Sequence, residues 1–240
     1  MEKLSLKIAH LYPKALNLYG DIGNVITLKK RCEWRDIDVE FDEINTGDIL
    51  TEHDLYFIGG SQDKQQEEIA QEMYNNREFF LKERDNGAVF LGICGGFQLL
   101  GKYYKPHDRE QLNGVGLLDV YTVAGKKRFI GNVTVETDFT GSLVGFENHS
   151  GLTYLEGETK PLGKVVVGNG NNGKDGFEGA RFKNVFGTYL HGSVLPKNPE
   201  FADYLLSLAL EKHYGHAIEL SPLDDDFEKK THEVLIGKSY

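Results

Sequence analysis

Apolar residues in the first hundred positions come as short blocks, separated by longer stretches at helical spacing. "LKIAHLY" (Leu6–Tyr12) predicts a first strand, and Pro13 with the polar "NLYGDIGN" (Asn17–Asn24) predicts the loop after it. In "GNVITLKKRCEWR" (Gly23–Arg35), Val25, Leu28 and Cys32 fall on one side of a helix, which makes Cys32 a core residue. "DVEFDEI" (Asp38–Ile44) alternates as a short strand. "DLYFIGG" (Asp54–Gly60) is an apolar run stopped by two glycines, the pattern of a buried strand entering a tight turn. The stretch from Asp63 to Gly87 reads as one helix ended by its glycine. "AVFLGI" (Ala88–Ile93) is the next buried strand, with a helix expected over "GFQLLGKYY".

Strand and helix therefore alternate, which predicts an α/β fold with a doubly wound, mostly parallel sheet and helices on both faces. After about Gly114 the texture changes to strands joined by short turns: "NVTVETDF", "SLVGFENHSG", "GKVVVGNGNN" and "NVFGTYLHG". These predict an antiparallel extension of the same sheet. Helices are expected over Asn198–Tyr214 and Asp224–Ile236. The expected layout is one domain over residues 1–205, with a helical extension, 206–240, packed on it.

Composition narrows the partners. Acids outnumber bases 37 to 27 in 240 residues, a formal charge of −10. Nucleic acid and anionic membrane surfaces favour the opposite balance. There are two cysteines, too few for a disulfide framework or a cysteine-rich zinc site. The N-terminus lacks the apolar core of a signal peptide, and no run approaches the roughly 18 apolar residues of a membrane span. A reduced, cytoplasmic protein is the expectation.

"LGICGGFQLLG" (Leu91–Gly101) places Cys94 between an apolar strand and a helical pattern. This is the context of a nucleophile elbow, with cysteine in place of serine. Small neighbours are needed where strand and helix nearly touch, and Gly92, Gly95 and Gly96 supply them. A helix N-terminus favours the thiolate, and the Gly95 N–H could hold an oxyanion. A buried packing cysteine fits the same stretch, so the segment alone leaves both readings open.

A cysteine nucleophile works with a histidine. Of eight histidines, His53, His107, His213, His216 and His232 fall in polar loops or near helix ends, and His10 lies inside the first strand. His191 in "GTYLHG" and His149 in "GFENHSG" both stand at strand ends, where open α/β sheets gather ligands. Spacing does not choose between them. "GNGNNGKD" (Gly168–Asp175) matches a phosphate-binding loop up to its lysine, but Asp175 replaces the Mg²⁺-binding hydroxyl and glycines break the required helix. It reads as a plain loop, so no ATP site is expected in this chain.

"FIGG", "GICGGFQLLG" and "GTYLHG" stand in the order and spacing of class I glutamine amidotransferases. "LNLYGDIGN", "VGFENHSG", "GNGNN" followed by "EG", and "LPKNP" resemble the cobyric acid synthase-type branch. Within it they are most similar to the glutaminase subunits of lipid II isoglutaminyl synthases. The resemblance runs from about Leu6 to Leu205 and implies a flavodoxin-like fold. It implies that Cys94 attacks the side-chain amide of glutamine with His191 as acid–base partner, and that the N–H groups of Gly60 and Gly95 form the oxyanion hole. It places Arg128 on the glutamine α-carboxylate, although position alone would make it a solvated charge. Gln98 and the "ENH" stretch (Glu147–His149) would lie near the pocket, with Gln98 and His149 beside the substrate.

Many class I members carry His-x-Glu; here the sequence is His191-Gly192-Ser193. A dyad is the implied machinery, with any third acid coming from elsewhere in the chain or from a partner that completes or gates the site. The implied partner is a Mur ligase-like, ATP-dependent subunit (the MurT type) that would hold ATP and Mg²⁺ and amidate lipid II, leaving this chain without a cofactor. Three other readings stay open at this point: a glutaminase subunit for another carboxylate such as a corrinoid, a γ-glutamyl peptidase, and a non-catalytic adaptor.

Overall fold

A computed structural model describes residues 3–17, 20–60 and 63–236. Leu18 and Tyr19 of the "NLYGDIGN" stretch lie outside them. β1 (Ser5–Leu11) is followed by α1 (Ile22–Glu33) and β2 (Asp38–Ile44), which pairs parallel with β1. β3 (Leu55–Ile58) takes the other flank of β1. Then come α2 (Asp63–Asn75), α3 (Arg77–Asp85), β4 (Val89–Ile93) and a short α4 (Gly95–Leu100). Much later in the chain β11 (Ala180–Phe182) and β12 (Val185–Thr188) join the same sheet, with β12 parallel to β4 and β11 antiparallel to β12. The order is β11-β12-β4-β3-β1-β2. Leaving out β11, this is the flavodoxin-like order, with its switch point between β1 and β3.

Both faces of this sheet are covered, which is why its strands read as continuous apolar runs. Leu6, Ile8, Leu55, Phe57, Val89 and Leu91 share a core with Val25 and Leu28 of α1 and with α5 (Pro199–Tyr214). Ala9, Leu11, Tyr56, Ile58 and Phe90 pack with Ile69, Met73 and Phe97 on the opposite face. Cys32 is fully buried in the first of these cores, as its helical position predicts, and burial pushes its thiol up to about 12.

Four sequence expectations are corrected. The helix expected from Asp63 to Gly87 is two helices, because the Asn76 amide bonds back to the Glu72 carbonyl at 3.0 Å and its backbone leaves helical geometry. The helix over "GFQLLGKYY" stops at Leu100; Lys102 N–H bonds to Val120 O at 2.8 Å and draws the chain into β5 (Tyr103–Lys105). Most of the later strands form a second sheet instead of extending the first. Its members are β5, β6 (Leu112–Asn113), β7 (Val120–Glu136), β8 (Ser142–Leu155), β9 (Gly163–Val167) and β10 (Phe177–Glu178). The flank of β4 is already taken by β12, and only β11 adds an antiparallel edge to the first sheet.

The fourth correction concerns the boundary at 205/206. It falls inside α5, whose Leu205, Leu206, Ala209 and Leu210 are all buried. The extension begins after Gly215, which ends the helix at φ 73°. Its α6 (Asp226–Leu235) buries no residue. It is tethered where the buried Arg31 guanidinium binds Asp203 and Asp225, each at 2.6 Å. Among the described residues no helix is long and apolar enough to cross a membrane.

Candidate active site

The parallel strands end together, and the turns beyond their ends carry the site. β4 runs into Cys94, whose backbone sits at φ 50°, ψ −102°, and α4 starts at the next residue. A residue other than glycine holds this region only where its surroundings impose it. They do so here: Cys94 N–H is held by Thr188 O at 2.8 Å, and Gln98 N–H bonds to Cys94 O at 3.0 Å. A Cβ on Gly92 would lie 2.7 Å from Leu100 and one on Gly96 2.5 Å from Ile58 O, so strand and helix meet only because both are glycines. The expected elbow is present, with the Cys94 thiol partly exposed at its apex.

His191 comes from the neighbouring strand, three residues after the end of β12. Its N–H bonds to Phe146 O at 2.8 Å, which clasps the segment to β8 of the second sheet. The ring is almost fully buried. Burial, with the nearby charges of Arg128 and Lys197, lowers its pKa to about 4. The imidazole is therefore neutral at physiological pH, the form that can accept a thiol proton.

Gly60 is where the two candidates meet. A Cβ there would lie 3.2 Å from His191 Cε1 and 3.5 Å from Cys94 Cβ. Histidine and cysteine thus face one methyl-sized space, and only a hydrogen at residue 60 keeps it open. A third group reaches the same space: Asp21 Oδ2 lies 3.3 Å from that point and accepts the Gly60 N–H at 2.6 Å. Asp21 is fully buried, and burial raises its pKa to about 7.

The other expected site residues fall into two groups. Arg128 is exposed at the end of a bulge: the β7–β8 register slips between Ala124 and Phe129. Bulges re-aim side chains, and this one sets Arg128 Nη1 2.8 Å from Asn148 Oδ1. Burial is the main reason both His191 and His149 have lowered pKa values, and the Arg128 charge adds to it in each case. Gln98 and His149 make hydrogen bonds within the protein, and His149 Nε2 is buried with no hydrogen-bond partner among the described residues. Gln98 accepts from Gln66 Nε2 at 2.8 Å and donates to Tyr189 Oη at 3.1 Å. His149 stacks on Tyr189 with centroids 3.6 Å apart, and its Nδ1 donates to Gly151 O at 2.8 Å.

A model of the CobB/CobQ-like glutamine amidotransferase domain matches residues 7–199. The chain belongs to this family. It is 42% identical over 236 residues to the lipid II isoglutaminyl synthase (glutamine-hydrolyzing) subunit GatD of Staphylococcus aureus (strain N315), covering 98% of this chain and 96% of that one. It is also 42% identical over 224 residues to the GatD subunit of Streptococcus pneumoniae (strain ATCC BAA-255 / R6), covering 92% and 86%. Among solved structures, PurLQS from Thermotoga maritima aligns with a TM-score of 0.57 at 17% identity, covering 85% of this chain and 98% of that chain, a likeness of fold.

Two acids of this glutamine amidotransferase, Asp21 and Glu178, were not legible as site residues, and Glu147 was expected near the pocket only as part of the "ENH" stretch. Asp21 sits in "NLYGDIGN", which read as a loop. Glu178, of the "EG" pair, is fully buried and accepts Tyr189 N–H at 2.6 Å and Thr188 Oγ1–H at 3.0 Å. It thereby fixes the segment that carries His191 and holds the Cys94 N–H. Glu147, of "ENH", accepts the N–H groups of Asn169 and Gly170 at 2.9 and 3.0 Å. Those amides would have to be open in a phosphate cradle, so the plain-loop reading of "GNGNNGKD" has a physical cause.

Proposed function

We propose that this chain is the glutamine-hydrolysing subunit of a lipid II isoglutaminyl synthase. One observation carries the reading: Cys94 and His191 converge over Gly60 in a chain 42% identical, along nearly its whole length, to such a subunit. His191 takes the Cys94 proton and the thiolate attacks the glutamine γ-carbonyl carbon. A C–S bond forms, and the carbonyl electrons move onto oxygen, held by backbone N–H groups. The oxyanion collapses, the C–N bond breaks, and His191 returns the proton to the departing ammonia. Water, losing a proton to His191, cleaves the thioester to glutamate and restores the thiol. Arg128 suits the substrate α-carboxylate by a two-pronged contact.

Free ammonia in neutral water is mostly ammonium and is not a nucleophile. It is therefore passed to a separate Mur ligase-like subunit, which spends ATP to activate the D-glutamate α-carboxylate of the lipid II stem peptide. The test combines both subunits with ATP and lipid II. Glutamine should support amidation by the wild type and not by Cys94→Ala, while ammonium salts should support both. Amidation of a corrinoid in place of lipid II would overturn the acceptor. Full glutamine-dependent activity in Cys94→Ala would overturn the glutaminase role.

A further inference from the structure

The Gly60 N–H, expected to hold the oxyanion, is already in use. It donates at 2.6 Å to Asp21 Oδ2, inside the protein and beside both reacting side chains. A carboxylate is the strongest acceptor a backbone N–H meets in a protein, and here no solvent weakens the bond. One N–H directed at a carboxylate cannot at full strength stabilise a second anion. The other oxygen, Asp21 Oδ1, is buried with no hydrogen-bond partner among the described residues. A carboxylate buried with one oxygen unsatisfied is costly to hold there. Burial accordingly raises its pKa to about 7. The contact is therefore strong at one oxygen and unsupported at the other, as in a group that is held in place and can be displaced.

We propose that Asp21 is a positioning residue of the glutaminase site: in the resting chain its carboxylate holds the Gly60 N–H, which must pass to the glutamine γ-carbonyl oxygen for the amide to be attacked. The inference rests on the glutaminase reading above and deepens it. Asp21 then sets how much of the chain has an open oxyanion hole. It also reaches the space at Gly60 that Cys94 and His191 face, in a chain that lacks the glutamate two residues after the histidine. Its hydrogen bond is to the N–H expected to serve as the oxyanion donor.

The experiment uses the purified full-length chain as wild type, Asp21→Ala and Asp21→Asn. Three quantities are read: kcat and KM for glutamine, inhibition by an aldehyde analogue of glutamine, and the rate of Cys94 alkylation by iodoacetamide. The aldehyde forms a thiohemiacetal whose oxygen needs the oxyanion hole, whereas alkylation needs only the thiol. Asp21→Ala should raise kcat by about tenfold or more and tighten aldehyde inhibition by a similar factor, with KM and alkylation within about twofold. Asp21→Asn, which keeps an acceptor and loses the charge, should fall between. If Asp21→Ala does not fold, the rise in Asp21→Asn decides. Unchanged or lower kcat with normal alkylation would overturn the proposal and leave the glutaminase reading intact. Altered alkylation together with altered kcat would assign Asp21 a structural role and overturn it as well. No glutamine hydrolysis by the wild type, alone or with its synthetase, would overturn both.

Discussion

Glu178 and Tyr189 are joined by a 2.6 Å bond from the Tyr189 N–H to a fully buried carboxylate. The same carboxylate takes the Thr188 hydroxyl, and the Thr188 oxygen in turn accepts the Leu190 N–H at 3.1 Å. Three successive residues before His191 thus depend on one acid. Glu178→Gln cannot satisfy both donors, and it should lower kcat for glutamine by about tenfold or more while leaving KM less affected. Steady-state glutaminase kinetics check this.

Glu178 also gives a pH signature. Burial raises its pKa to about 7 from 4.5. Between those values the folded chain holds a proton that the unfolded chain has released. The wild type should therefore gain stability relative to Glu178→Gln as pH falls from about 7 toward 4.5, and lose it as pH rises through 7. The full swing is about 3 kcal/mol. Urea unfolding of both proteins at several pH values measures it.

Gly60→Ala would put a methyl group 3.2 Å from His191 Cε1 and 3.5 Å from Cys94 Cβ. The added carbon fills the space in which the two side chains face each other. Glutaminase activity should fall by about a hundredfold or more, and the folded state should lose only about 1–2 kcal/mol. Equal damage to melting temperature and activity would contradict this.

Arg128→Ala should raise KM for glutamine by about tenfold or more, since the α-carboxylate would lose its cation. It should also move the acid limb of kcat/KM upward. The Arg128 charge is one cause of the lowered His191 pKa, and its removal lets the imidazole keep a proton to higher pH. In the wild type the limb should lie nearer pH 4 than pH 6.5. A pH–rate profile of both proteins tests the direction.

Arg31→Ala leaves Asp203 and Asp225 without the buried guanidinium that binds each at 2.6 Å. The cost should be about 3–5 kcal/mol. Hydrogen exchange over Asp225–Leu235 should quicken more than in the sheet, because α6 buries nothing of its own.

The first sheet was legible because both its faces are buried. Runs such as Val89–Ile93 can only be core strands, and the glycines around Cys94 can only be a close approach. The second sheet was not. Strands with one solvated face pattern alike whichever sheet they join, and the choice rests on β12 occupying the flank of β4. In the site, the cysteine and its histidine carried recognisable neighbours. Asp21 and Glu178 did not, because an acid in a polar motif reads as solvated until tertiary contacts bury it. The split at Asn76 turns on one side-chain bond, which residue spacing does not encode.

The nucleophile and its base come from parts of the chain nearly a hundred residues apart. Cys94 is set by a local strand, turn and helix, whereas His191 depends on β12 registering Phe186 against Leu91 and on the clasp to Phe146. A chain leaving the ribosome thus exposes its thiol well before the imidazole exists to activate it. Glutamine hydrolysis cannot begin on a partly made polypeptide. The order of synthesis itself keeps an abundant metabolite from being wasted on unfinished enzyme.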